Sequence, residues 1–215
     1  MITNYAEVME VNGTIIALNQ EKAYDKIRHT YLWNTLNALN IPHEFVKTIK
    51  SLYEHASTIV AINGVFSEPF HVTRGVRQGD PLSCLLFDLA IEPLACKLRN
   101  SDKLEGLIIP GVENKLIMNL FADDTTGYLS VNDKFNMVEK LLNKWCDMSG
   151  AKFNIEKTEI IPIRSKKHRK RVINMRKIHP TDAEPLNNRI HIVNDGEAVC
   201  SLRAWIGNKV NDLTP

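Results

Sequence analysis

The sequence predicts an α+β domain with helices packed on one face of a mainly antiparallel sheet. Three observations carry this. Strand-like and helix-like segments follow one another as strand, two helices, hairpin, long apolar helix, hairpin, helix and strand, the pattern of a layered α+β fold. Asn63-Gly64 joins two runs of β character and suits the positive-φ positions of a tight hairpin turn. A chain of 215 residues, 44% hydrophobic and 24% charged, has the size and balance to bury a real core.

Each element has its own signal. Residues 13–18, GTIIAL, form a short apolar run with β-branched side chains and read as a buried strand. From Ala23 to Asn40, Ile27, Tyr31, Leu32, Leu36 and Leu39 recur at helical spacing. Pro42 opens a second helix, in which Phe45, Ile49 and Leu52 share a face. STIVAINGVFSEPFHV supplies the Asn63-Gly64 hairpin. Residues 81–100 are apolar nearly all round, which predicts a helix buried on most faces, with a kink or break at Pro93. LEGLIIPG and KLIMNLFADDTTGYL read as strands, the second folding back near Asp123. DKFNMVEKLLNKWCDMSG reads as an amphipathic helix capped by Asp133 and stopped by Gly150. KFNIEKTEIIPI closes the domain as a strand or hairpin.

Composition excludes several classes. No apolar stretch approaches the roughly 18 residues of a membrane span, so no membrane partner is expected. The opening MITNYAEVMEV carries two acids and no apolar core, unlike a secretory leader. Cys84, Cys96, Cys146 and Cys200 form no C-x-x-C pair, and they read as small buried hydrophobes in a reducing compartment. The expected location is intracellular, nuclear or cytoplasmic.

Net charge is +2, but it is unevenly spread. Residues 164–179, RSKKHRKRVINMRKIH, hold eight Lys/Arg and no acid, and the rest of the chain is net acidic. Such a block can neutralise phosphates, with Lys166, Lys167, Arg169, Lys170 and Arg171 as the candidate nucleic-acid contacts, or serve as an import signal. A solvated helix face or a mobile tail accounts for it equally well. Its bases are expected to be exposed, because eight cations cannot be buried without partners. The reading divides the chain into a domain over 1–163 and a basic tail or linker over 164–215, an incomplete second unit.

Asp123-Asp124 ends the apolar run LIMNLFA and precedes TTGYL. Two adjacent carboxylates at the end of a buried strand are costly unless cations meet them, and hard oxygen donors suit Mg²⁺. Alone, such a pair is more often ordinary turn chemistry than a metal site.

Four segments change that balance: FADD, RGVRQGDPLSCLLFDLAIEPL, NQEKAYDKIRH and SGAKFNIEKTEIIPI. Together, over most of residues 12–163, they resemble the reverse transcriptase domain of non-LTR (LINE-type) retrotransposons. The resemblance implies a right-hand polymerase palm with partial fingers and no evident thumb. It also implies an RNA template, a DNA primer and deoxynucleoside triphosphates as partners. Two Mg²⁺ ions, held by carboxylates, would stabilise charge on the attacking and leaving oxygens of nucleotidyl transfer. Asp123 and Asp124 match the family's metal-binding pair. Arg77, Gln78 and Gly79 match the loop that touches the incoming nucleotide and template. Tyr24 matches the aromatic under the sugar, and Lys157 a lysine near the leaving pyrophosphate.

One position departs from the pattern. The family reads D-x-x-x-A-(F/Y), and the register N-Q-E-K-A-Y places Asn19 where the catalytic Asp belongs. Asn keeps one acceptor oxygen but loses the charge and the second anionic oxygen, so it should hold two clustered Mg²⁺ ions weakly. Asp25 is the family's ordinary Asp after the aromatic, a helix cap rather than a ligand. With 18 residues before Asn19, the chain reads as a truncated copy whose upstream fingers are missing. Two functions follow: a reverse transcriptase domain with impaired activity, or a non-catalytic nucleic-acid-binding remnant. An inert product of a decayed element is the third possibility. The polymerase reading requires Asn19 and the Asp123-Asp124 turn to lie side by side on adjacent strands.

Overall fold

A computed structural model describes residues 12–109, 115–201 and 204–208. The expected features within 1–11 and 110–114, including the end of LEGLIIPG, lie outside the described residues. The chain divides into two compact units, Met1–Glu21 with Leu94–Lys144 and Phe153–Pro215, and Lys22–Pro93 with Trp145–Lys152.

The first unit is built on a five-stranded sheet. Its strands are β1 (Gly13–Asn19), β6 (Met118–Phe121), β7 (Asp124–Ser130), β8 (Glu159–Ile163) and β9 (His191–Ile192), in the order β6-β7-β1-β8-β9. All pairings are antiparallel except β8–β9. β1 is central because GTIIAL buries both its faces, as a near-continuous apolar strand must. Ile15 stands opposite Tyr128 on one side and Ile161 on the other. The three share one face with Ile163, and Leu107, Val193 and Val199 complete that cluster. A hairpin of β10 (Ala198–Ser201) and β11 (Ala204–Gly207) contributes Val199 and Ile206 to it.

The second unit opens with α1 (Ala23–Lys26), α2 (His29–Ala38) and α3 (His43–Glu54). Short strands follow: β2 (Ser57–Thr58), β3 (Ala61–Ile62), β4 (Val65–Phe66) and β5 (Phe70–His71). Asn63 and Gly64 take φ of 50° and 81°, so the β3–β4 turn is the one the dipeptide announced. The single helix expected over 23–40 is divided. Ile27 and Arg28 are extended, because Ile27 O accepts Gly75 N at 2.7 Å and Arg28 bridges Arg74. Tertiary pairing there overrides a continuous helical periodicity. Tyr31 donates to Ala90 O at 3.0 Å, and buried Trp145 donates to the Tyr31 hydroxyl at 3.0 Å. Burial raises the Tyr31 pKa, which keeps that donor protonated.

Two longer helices contribute residues to both units, α4 (Pro81–Arg99) and α5 (Phe135–Ser149). α4 runs through Pro93 without the expected break. It is also less enclosed than its composition suggests, since Leu85 is 60% exposed. Cys84 and Cys200 are exposed rather than buried, and none of the four cysteines is in a disulfide. Gly150, at φ 83°, stops α5 as expected.

Asp133 has a different job from the expected helix cap. It is 1% exposed and its carboxylate accepts from the backbone N–H of Glu105 (2.7 Å), Gly106 (2.9 Å) and Ser130 (2.8 Å). Three donors converging from two loops win this carboxylate over the end of α5.

The basic segment also departs from the reading of an exposed tail. Residues Lys166–Met175 form α6, which packs on β8, and Ser165 caps it by accepting His168 N. Arg169 is buried against Asp195, with Nε and Nη2 at 2.6 and 2.9 Å from the two carboxylate oxygens. Arg171 donates to Ile178 O; desolvation lowers its pKa, and the Asp182 carboxylate offsets only part of that. Arg169 and Arg171 are therefore committed inside the fold, whereas Lys166, Lys167 and Lys170 are exposed. Asp195, the partner of Arg169, comes later in the chain, so that cation is buried with its counterion, while Arg171 is half-buried.

His168 latches α6 to the sheet. Its Nε2 lies 3.0 Å from Gly13 O, and its Nδ1 faces an Arg171 donor at 3.2 Å. These partners select the neutral tautomer with the proton on Nε2. Burial first, then the Arg171 charge, push its pKa below 6.5. A histidine held neutral contributes stability above its unfolded pKa and loses it as pH falls below about 6.5. Thermal unfolding should therefore show a lower Tm at pH 5 than at pH 7.5, and His168→Gln should flatten that difference. An equal pH dependence in His168→Gln would refute the latch.

Candidate functional site

The sheet of the first unit places Asn19 directly opposite Asp124, as cross-strand partners in the β1–β7 ladder. Cβ atoms in such a pair are about 5 Å apart. Phe121 and Asp124 close the β6–β7 hairpin around a two-residue turn, with Ala122 at φ 51° and Asp123 at its tip. Gln20 N donates to Asp123 O at 2.9 Å, tying the turn to the end of β1. The required juxtaposition of positions 19 and 123–124 is thus present in the backbone pairing.

Strand alternation fixes what shares this face. Ala17 and Asn19 on β1, Asp124 and Thr126 on β7, and Glu159 opposite Ala17 on β8 all point the same way. They line a cavity of about 340 Å³ with Glu156, Lys157 and Cys200. Lys157 arrives through a short 3₁₀ turn, Ile155–Lys157, capped by the Asn154 side chain accepting Glu156 N and Lys157 N. Asn154 N in turn donates to Asn19 O at 2.8 Å, so the turn is anchored to the end of β1. Glu156 makes an exposed 3.4 Å pair with Arg189, of little energetic weight. Glu159 faces His191 at 3.6 Å. Glu197 lies 3.0 Å from the other nitrogen of that ring. The cavity is acidic around a neutral Asn19.

This donor set does not fit a pair of clustered Mg²⁺ ions. Among the described residues, no group of three or more His, Cys, Asp or Glu side chains is placed to hold a metal. Asn19 contributes a neutral carboxamide beside Asp124, and a carboxamide adds no negative charge to hold a divalent cation.

The second unit holds the other matched residues. Tyr24 stacks on Phe87 with ring centroids 4.8 Å apart, and its hydroxyl lies 3.7 Å from Cys84 Sγ. Loop 75–80 is docked on the Tyr24 turn: Gly75 N donates to Ile27 O and Val76 N to Tyr24 O, each at 2.7 Å. A Cβ at Gly75 would lie 2.8 Å from Tyr24 O, so the approach needs glycine. Gln78 and Gly79 are exposed, and a Cβ on Gly79 would meet no atom within 4 Å. Arg77 is otherwise employed. Its guanidinium sits 5.2 Å over the Tyr53 ring and donates to Leu52 O in the last turn of α3.

Sequence reasoning missed several residues of the cavity lining, Glu159 and Cys200 among them. Glu159 was readable, since it falls two residues after Lys157 on a predicted strand and so shares a face with that end of it. Cys200 had no signal, because only the long return of the chain brings it to the cavity.

A family model described as reverse transcriptase (RNA-dependent DNA polymerase) matches residues 4–179. The chain belongs to the reverse transcriptase family. This domain is 37% identical over 123 residues to the transposon TX1 uncharacterized 149 kDa protein of Xenopus laevis, an alignment covering 57% of this chain and 9% of that protein. It is 30% identical over 129 residues to a retrovirus-related Pol polyprotein from the type-2 retrotransposable element R2DM of Drosophila melanogaster, covering 54% of this chain and 12% of that one. The reverse transcriptase domain thus spans about a tenth of the length of these relatives, which are proteins of non-LTR elements. In fold it resembles a telomerase structure from Candida tropicalis, with TM-score 0.56, 17% identity, and coverage of 73% of this chain and 27% of that one. The sheet is accordingly that of a right-hand polymerase. No helix of the described residues is long and apolar enough to cross a membrane.

Proposed function

We propose that this reverse transcriptase domain binds an RNA template, a DNA primer and deoxynucleoside triphosphates, and that Asn19 leaves it with little catalytic power. The observation that carries this reading is the Asn19–Asp124 rung. It supports taking position 19, an uncharged side chain beside the Asp123-Asp124 turn, as the one the motif resemblance assigns to the catalytic Asp. Nucleotidyl transfer builds charge on the attacking and leaving oxygens, and stabilising such charge is commonly the largest catalytic contribution. A missing anionic ligand removes stabilisation worth about 10²-fold in rate or more. Lys157, exposed beside the rung, supports the reading as a cation able to meet a leaving pyrophosphate. Primer extension tests it. The unmodified chain should give little or no extended product, and robust Mg²⁺-dependent extension would show that position 19 is not the catalytic one.

A second reading, a non-catalytic nucleic-acid binder, is favoured by α6. Lys166, Lys167 and Lys170 are exposed on one side of that helix, while Arg169 and Arg171 are committed inside. The telomerase structure of similar fold holds a fragment of telomeric RNA, which accords with an RNA partner here. If the three lysines each meet a phosphate, replacing all three with Ala should lower the slope of log K against log salt by about 2 for single-stranded RNA. Arg169→Ala should instead lower stability, because it strands Asp195. An unchanged salt slope in the triple variant would exclude α6 as the contact.

A further inference from the structure

Gln20 and Thr125 carry polar atoms that the fold leaves unanswered. Gln20 is 2% exposed and Thr125 1%. Yet neither end of the Gln20 carboxamide nor the Thr125 hydroxyl has a hydrogen-bond partner among the described residues. The sheet register brings these two residues together. Asn19 faces Asp124 and Leu18 faces Thr125 across β1 and β7, and Gln20 continues the extended chain by bridging Phe153. Alternation therefore turns Gln20 and Thr125 to the hidden face of the sheet, opposite the side chains of Asn19 and Asp124. There they are diagonal neighbours, with Cβ atoms about 7 Å apart. Thr14, whose hydroxyl is also unpartnered on that face, stands at the other end of β1, about 20 Å away.

We infer that Gln20 and Thr125 enclose buried water, which latches the Asn19–Asp124 rung from its hidden face. A buried polar atom without a partner is costly, and here three such atoms converge. The carboxamide offers a donating and an accepting end, and the hydroxyl does both. One direct hydrogen bond between the two side chains would still leave an end of the amide unanswered. Water donates and accepts, so it can serve all three atoms, and the burial of both residues shuts out a larger ligand. Gln20 N already donates to Asp123 O at 2.9 Å, and Thr125 follows Asp124 on β7. Water between their side chains joins the two strands next to both carboxylates, whether or not position 19 is catalytic.

Gln20→Met, Thr125→Val and their combination test the latch in the full chain. Each single substitution takes one partner from the water and should lower the folding equilibrium constant by about 10-fold. The double variant makes the place apolar and expels the water, so it should be more stable than either single variant. In Thr125→Val, hydrogen exchange at the Gln20 N–H should also quicken by about 10-fold relative to the remote Val193 N–H, which bonds Ile160 O. Single substitutions that leave the folding constant unchanged or raise it would show that the atoms are dry and overturn the inference. Additive losses in the double variant, or equal changes in exchange at residues 20 and 193, would overturn it too. A direct measurement stands beside these in case a variant does not fold. Magnetisation transfer from long-lived water to the Gln20 carboxamide protons is expected in the unmodified chain, and its absence contradicts the latch.

Discussion

Asp133→Ala should destabilise the chain by about 3–5 kcal/mol, measured as a fall in the urea midpoint. The carboxylate is 1% exposed and satisfies three backbone donors, on Glu105, Gly106 and Ser130. Hydrogen bonds to a charged group are worth about 1.5–3 kcal/mol each, and removing the acceptor leaves the donors unpaired. The full sum is not reached, because water enters the space and the losses are not independent. Asp133→Asn should fall between the two, since its NH₂ would confront at least one N–H where the carboxylate accepts. Lys166→Ala, on the exposed side of α6, is the control and should stay within about 0.5 kcal/mol. Loss of less than about 1 kcal/mol in Asp133→Ala would mean that this carboxylate does not hold the two loops together.

Asp133 also shows where sequence reasoning stops. It sits just ahead of a helix, and an Asp there is the ordinary signal for a cap. The donors that claim it include two from residues 27 and 28 positions earlier in the chain, which no local pattern reveals. The basic segment failed for a similar reason. Its eight cations have no acid among them, so the buried ion pair of Arg169 depends on Asp195, 26 residues on. The division of the helix at Ile27 came from pairing with Gly75. By contrast, β1 was legible because its burial on both faces demands an unbroken apolar run, and Asn63-Gly64 because its backbone angles are local. The Asn19–Asp124 rung lies between these cases. Composition and periodicity alone never join residues 105 positions apart; the motif resemblance did, and the β1–β7 register carries the same pairing.

Asn19→Asp should have the largest functional effect. The substitution changes one atom group at the end of a strand whose backbone bonds there, Gln20 N to Asp123 O on one side and Asn154 N to Asn19 O on the other, do not depend on the side chain. It returns an anionic oxygen pair to a face that already carries Asp124, with Asp123 at the adjoining turn. Hard divalent cations gain affinity from each added carboxylate, so Mg²⁺ binding should tighten by at least about 10-fold. The new carboxylate also stands near Asp124 and Glu159, so without the cation the variant should be somewhat less stable than the unmodified chain. Added Mg²⁺ should then raise its Tm more than it raises that of the unmodified chain, because a ligand that binds only the folded state stabilises it by mass action.

The decisive measurement is a calorimetric titration of Mg²⁺ into the unmodified chain and into Asn19→Asp, side by side at one pH and ionic strength. The account predicts weak or undetectable binding by the first and at least about 10-fold tighter binding by the second. Equal affinity in the two proteins would show that position 19 does not face the ion, and would contradict the assignment of the Asn19–Asp124 rung as the catalytic position.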